Sequence, residues 1–368
     1  MAARDPSELA GALLVVGFDG TTLPPSLARD LAEKRRAGVI LFKRNVASVE
    51  AVHALCRQIF ELGVDPSPIV SVDQEGGRVA RLGAPVLALP PMRELGDIGD
   101  PTLARRVGVA LGRELAALGF NLDFAPVLDV DSNPLNPVIG DRSFSRDPEV
   151  VAALGAAFAE GLESAGVAAC GKHFPGHGDT DKDSHLDLPF VAHDRARLDG
   201  TELLPFRRAG HAVATLMTAH VVFDALDPGV PATCSRKIVT ELLRGELGYR
   251  GVVFSDDLEM RALAANLPVE ESAVKAVRAG CDLVLVCKET ALAERAYAAL
   301  ARECERDPAF RLRAEEAVER SFALRQRFPL SPAKDWASVV RVLESPEAAR
   351  LVAEIVVAPS SVRGVRAP

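Results

Sequence analysis

The stretch PEVVAALGAAFAEGLESAGVAACGK, residues 148–172, contains the unit from which the fold can be read. Pro148–Ala165 carries a helical pattern, and Gly166 stands where a helix-ending C′ residue must turn left-handed. Val167–Cys170 is then a short apolar run of strand type, with the charged Lys172 just past its end. Helix, glycine, buried strand and polar strand end together describe one βα step.

The same step recurs on both sides. Strand-like runs are Ala12–Val16, Val39–Phe42, Ile69–Val72, Leu122–Ala125, Val167–Cys170, Thr215–Thr218, Val252–Ser255 and Leu283–Val286. Between them lie helical patterns at Ser48–Leu62, Pro101–Leu118, Pro148–Ala165, Thr201–Ala209, Ser235–Glu246 and Val269–Ala279. Gly63, Gly119, Gly166, Gly210, Gly248 and Gly280 are the expected left-handed helix ends. Eight near-continuous apolar strands alternating with helices predict a single-domain (β/α)8 TIM barrel rather than an open doubly wound sheet. We place the barrel domain at residues 1–330. Residues 331–368 form a short helical C-terminal tail with no room for a second α/β domain. Two connections exceed plain loops: Asp73 to Asn121, with Pro85, Pro90 and Pro91, and Gly171 to Asp199.

Composition narrows the function classes. The 368-residue chain has a net charge of −8 and only 5% aromatic residues. This argues against nucleic acid, against an anionic membrane surface and against base-stacking platforms. No apolar run reaches the ~20 residues that span a bilayer. The run GALLVVGF (11–18) follows Asp5 and Glu8 and precedes Asp19-Gly20. A secretory signal has the opposite flanks, so this run reads as a buried strand and the protein is expected to be cytoplasmic. The six cysteines are scattered without a Cys-x-x-Cys pair, as core residues in a reducing compartment would be. Glu75-Gly76-Gly77-Arg78 and Gly176-His177-Gly178 match neither a Walker sequence nor a dinucleotide fingerprint and read as tight turns.

Parallel barrels carry their chemistry at the C-terminal ends of the strands. Here those ends hold Asp73 with Arg78 and Arg81, then Pro126 with Asp141 and Arg142, then Lys172, His173 and His177. His220 follows strand six, Asp256-Asp257 strand seven and Cys287-Lys288 strand eight. The loop GKHFPGHGDTDKDSHLDLP (171–189) has three readings. A calcium loop starting at Asp179 would need Gly and Glu where Ser184 and Phe190 stand. A zinc pair of His173 and His177 cannot share a helix face across Pro175-Gly176. Acid/base chemistry suits Asp183 and His185, two apart, because a carboxylate orients an imidazole and favours its protonated form. Asp256 or Asp257 could be a nucleophile or a helix N-terminal carboxylate, and spacing does not choose between them.

KHFPGHGDTDKDSH, SVDQEGGRVARL, IGDRSFSRDP and VVFSDDLEM together resemble glycoside hydrolase family 3, in particular its bacterial β-N-acetylglucosaminidase (NagZ-type β-hexosaminidase) branch. The resemblance runs over about residues 10–305, in matching order. It implies that Asp256 is the nucleophile and His185 the general acid/base, with Asp183 as its dyad partner. It assigns Asp73, Arg81, Arg142, Lys172 and His173 to holding the sugar. Asp179 and Asp181 inherit no role, since that part of the loop varies within the branch. The implied reaction is retaining hydrolysis of a terminal β-linked N-acetylglucosamine through a covalent glycosyl-aspartate, with histidine replacing the usual second carboxylate. No metal and no cofactor are implied. The partner is a small GlcNAc-containing carbohydrate such as an anhydro-muropeptide of peptidoglycan recycling. Alternatives are a glycosyl phosphorylase or β-glucosidase of the same family, a metal-dependent barrel hydrolase, or a silent sugar-binding paralogue.

Overall fold

The computed structural model describes residues 4–180 and 188–357. Eight parallel strands close a barrel: β1 Leu14–Val16, β2 Gly38–Leu41, β3 Ile69–Val72, β4 Leu122–Asp123, β5 Ala168–Phe174, β6 Thr215–Thr218, β7 Val252–Asp257 and β8 Leu283–Val286. The barrel shuts by pairing β8 back onto β1, with Leu14 opposite Val284 and Val16 opposite Val286. All eight lie on the expected runs. β5 and β7 run further than expected, to Phe174 and Asp257, and these extensions carry the polar strand ends.

Both faces of each strand are buried, which is why the runs show no polar alternation. Val15, Ile40, Ile69, Leu122, Ala168, Met217, Val252 and Leu283 fill the barrel interior, where the Phe124 and Phe254 rings meet edge to face at 5.3 Å. Their strand neighbours Leu14, Val39, Val70, Leu216, Val253 and Val284 point outward under the helices. Each such buried aliphatic side chain contributes about 1.5–3 kcal/mol of transfer free energy. Helices Pro101–Leu118 and Pro148–Ser164 meet backbone to backbone at two glycines. A Cβ on Gly108 would lie 2.2 Å from the Phe158 carbonyl oxygen, and one on Gly161 2.3 Å from that of Arg105.

Three local expectations need correction. Of the helical pattern over Thr201–Ala209 only Leu204–Ala209 is helix, because Pro205 can only sit in a first turn, and a separate short helix, Arg195–Gly200, precedes it. Gly210 is not left-handed (φ −55°), since the chain continues into a tight turn at Gly210–Ala212. Gly63, Gly119, Gly166, Gly248 and Gly280 do take positive φ. The helix expected over Ser235–Glu246 is a wide π-helix over Lys237–Glu246, with Leu247 N–H donating to the Leu242 carbonyl, five residues back, at 2.8 Å.

The connection after β3 holds a small hairpin (Gln74–Gly76 with Val79–Ala80) and a helix Met92–Ile98 ahead of Pro101–Leu118. The C-terminal helices Trp336–Leu343 and Pro346–Val357 pack on Pro101–Leu118 through Val339, Leu343, Leu351 and Ile355. Among the described residues, no helix is long and apolar enough to cross a membrane.

Candidate active site

Side chains alternate along a strand, so the interior rows predict what reaches the mouth. On β3 the row is Ile69, Ser71 and then Asp73; on β5 it is Ala168, Cys170 and then Lys172. Both ionisable groups therefore enter the barrel one step beyond its apolar filling. They line a cavity of about 440 Å³ at the C-terminal mouth, together with Glu75, Arg81, Arg142, His173, His177, Asp256 and Asp257. That size is ordinary for a small-molecule site.

Lys172 is the centre of the charge arrangement. Its Nζ donates to Asp73 Oδ1 at 2.7 Å and lies 2.6 Å from Glu75 Oε1. Glu75 accepts two further bonds from Arg142, Nε to Oε2 at 2.9 Å and Nη2 to Oε1 at 2.8 Å. Arg81 Nη2 donates to the other oxygen of Asp73 at 3.2 Å. Burial by itself would raise the Asp73 and Glu75 carboxyls; Lys172 and Arg81 beside Asp73, and Arg142 and Lys172 beside Glu75, reverse the direction and hold both below their ordinary values. Lys172 and Arg142 stay cationic because the same carboxylates outweigh their desolvation. The floor of the cavity is thus a fixed set of alternating charges.

Asp129 forms a second centre below it. It is fully buried and accepts the His173 backbone N–H (3.1 Å), the His177 backbone N–H (2.6 Å) and His173 Nδ1 (2.6 Å). The carboxylate assigns the proton to His173 Nδ1 and leaves Nε2 as the face available to the cavity. Burial, reinforced by His173, brings His177 down to about 4, so this ring is neutral near pH 7. Its Nδ1 meets Thr180 Oγ1 at 2.9 Å, and its buried Nε2 has no partner.

The adjacent aspartates on β7 differ. The register of β7 against β8 slips between Phe254 and Asp257. Asp257 Oδ1 accepts the backbone N–H groups of Glu259 (3.1 Å) and Cys287 (3.2 Å), tying β7 to β8. Burial pushes the Asp257 carboxyl up to about 7. Asp256 accepts one bond, from the Asp257 N–H at 2.8 Å. Asp257 is thus a structural tie whose burial disfavours its charged form, and Asp256, bound only by its neighbour's N–H, is the side chain better suited to act on a ligand.

The structure brings Asp73, Arg81, Arg142, Lys172, His173 and Asp256 around one cavity. His220 was expected there too, but it does not line the cavity. It is buried behind β7, with Nε2 donating to the Asp257 carbonyl at 2.9 Å and Nδ1 accepting from Thr233 Oγ1 at 2.8 Å. Asp183 and His185 lie outside the described residues. Glu75 and Asp129 were not singled out from sequence. Glu75 sat in a glycine-rich turn, and Asp129 in the run VLDVD, where an acid alternating with apolar residues is itself the missed signal.

Comparison with known proteins shows the family to which this fold belongs. The glycosyl hydrolase family 3 N terminal domain matches residues 11–320. A beta-hexosaminidase from Alkalilimnicola ehrlichii is 45% identical over 281 residues, covering 74% of this chain and 80% of that protein. One from Pseudomonas aeruginosa is 41% identical over 290 residues, covering 78% and 86%. Among solved structures, a glycoside hydrolase family 3 β-N-acetylglucosaminidase from Paenibacillus superposes with a TM-score of 0.89 at 40% identity, over 96% of this chain and 68% of that one. Native NagZ from Neisseria gonorrhoeae superposes with a TM-score of 0.77 at 33% identity, over 96% and 98%.

Proposed function

The chain belongs to glycosyl hydrolase family 3, and we propose that it is a retaining exo-β-N-acetylglucosaminidase that releases terminal β-linked GlcNAc. The observation that carries this reading is the cavity in which Asp256 faces the Asp73–Lys172–Glu75–Arg142 network. A sugar offers a ring of hydroxyls, each able to donate and accept. Alternating fixed carboxylates and cations satisfy both functions without reorganising, and so orient the ring for reaction.

In this mechanism Asp256 attacks the anomeric carbon and the glycosidic bond breaks, giving a glycosyl-aspartate. His185 protonates the departing oxygen and then takes a proton from the water that hydrolyses the intermediate, with Asp183 orienting the imidazole. An imidazole base is neutral, so it avoids the repulsion a second carboxylate would feel beside Asp256. Asp73, Arg81, Arg142, Lys172 and His173 hold the terminal sugar. The chemistry of these residues calls for no metal and no cofactor. The natural substrate we assign is a small GlcNAc-containing fragment of peptidoglycan recycled in the cytoplasm.

Release of p-nitrophenol from the β-N-acetylglucosaminide, compared with the β-glucoside, tests the substrate class. A clear preference for the N-acetyl sugar is expected, and equal or reversed rates would move the chain to β-glucosidase activity. Addition of inorganic phosphate should leave the rate unchanged; a dependence on it would identify a phosphorylase.

A further inference from the structure

We propose that Asp179, His193 and Glu202 form a binding site for one zinc-class dication, separate from the sugar cavity. None of the three lines that cavity. One ligand atom from each lies within 4.8 Å of the other two.

Glu202 supplies the decisive observation. It is only 2% exposed, yet its carboxylate is poorly served. Oε1 meets Arg197 Nη2 at 3.3 Å and Ser132 Oγ at 3.4 Å, both long contacts, and Oε2 has no partner. A buried carboxylate oxygen without a hydrogen bond is costly and uncommon, and it calls for a missing cation or donor. On the other side of the group, Asp179 Oδ2 and His193 Nε2 touch each other. Among the described residues, Glu202 ion-pairs with Arg197 alone and Asp179 with His193 alone.

The donor set names the class of ion. One imidazole nitrogen with two carboxylate oxygens suits zinc and its first-row neighbours. Calcium and magnesium prefer all-oxygen shells, and copper(I) prefers sulfur. Tetrahedral zinc with bonds of about 2.0–2.2 Å sets its donors roughly 3.3–3.6 Å apart. The Asp179 and His193 side chains, 19% and 37% exposed, have freedom to part from each other and turn toward the Glu202 carboxylate. A water completes the fourth position. The imidazole coordinates through Nε2 and carries its proton on Nδ1. Asp179 and His193 stand on either side of residues 181–187 in sequence, while Glu202 is buried against the barrel just ahead of helix Leu204–Ala209. The ion therefore fastens both points of the chain to the barrel body.

The test is titration calorimetry on the full chain after chelator treatment and dialysis, using zinc chloride, calcium chloride or magnesium chloride alone. One zinc per chain, no binding of calcium or magnesium, and a Tm that rises with zinc are expected. His193→Ala and Glu202→Gln should each weaken zinc binding by more than the ~10–100-fold that even outer-shell changes cost. His193 is partly exposed, so that variant keeps the test valid if the buried Glu202→Gln fails to fold. No zinc binding by the wild type would overturn the proposal. Undiminished binding in His193→Ala, or binding abolished by His185→Ala while His193→Ala retains it, would also overturn it by putting the ion elsewhere.

Discussion

Replacing Glu75 by Gln removes one negative charge from the centre of the cavity floor and leaves the shape nearly unchanged. Glu75 is 2% exposed and receives two bonds from Arg142 and one ion pair from Lys172. Lys172 would retain Asp73 at 2.7 Å, and Arg142 would retain only the Val138 carbonyl at 3.1 Å. An amide offers one acceptor oxygen and turns its NH2 toward a guanidinium, so the arrangement is broken rather than weakened. Removing one partner of a buried ion pair costs about 3–5 kcal/mol. With an unfolding entropy of about 2.1 cal/mol/K per residue, this corresponds to a Tm lower by roughly 4–6 °C in a 368-residue chain at pH 7. The folded-state carboxyl is held below its ordinary value, so its contribution is complete above about pH 4.5 and fades as the pH falls below that. The gap in Tm between wild type and variant should therefore be largest at neutral pH and shrink in acid. Because Arg142 and Lys172 lose their alignment, kcat/KM should fall on the order of 10²-fold. Calorimetric scans at several pH values with Michaelis kinetics at pH 7 measure both effects. A Tm change under about 1 °C, or a gap that widens in acid, would refute this account of the network.

The remaining predictions concern chemistry and packing. Asp256→Asn should lower turnover by ~10³-fold or more while the fold survives, and a fluoro-glycosyl inhibitor should label Asp256 by mass spectrometry. Asp257→Asn keeps the oxygen that accepts from Glu259 and Cys287, so it should stay within about tenfold of wild type. The Asp257 carboxyl sits near 7 in the fold and ionises at a cost, so Asp257→Asn should gain stability relative to wild type as pH rises from about 4 to 8. The opposite pattern of activity would exchange the roles of the two aspartates. His185→Ala should slow substrates with poor leaving groups far more than activated aryl glycosides, and equal losses would remove His185 from the acid's role. Gly178→Ala should yield little folded enzyme by circular dichroism, since its Cβ would lie 1.6 Å from the Val130 carbonyl oxygen. A normal spectrum and Tm would contradict the packing described.

The barrel was legible in the sequence because it is built from a repeated local signal. Apolar strand, helix and turning glycine are encoded by neighbouring residues, and all eight strands fell on their runs. The strand-end rule also brought Asp73, Lys172, His173 and Asp256 to one mouth before any coordinates, since a parallel barrel sends every strand the same way. The local pattern failed at Gly210, where the chain runs on into a tight turn, and over Thr201–Ala209, where Pro205 confines the helix to Leu204–Ala209. Other features had no local signal. Arg142 and Glu75 are 67 positions apart, and Lys172 and Asp73 are 99 apart, so their pairing exists only after closure. The burial that makes Asp257 a tie rather than a free carboxylate comes from β8, and the meeting of Asp179 with His193 and Glu202 comes from the path of the chain after β5. Sequence determined which groups are present and at which end of the barrel. The fold decided their charge states and partners, because these depend on the distances and burial that only folding creates.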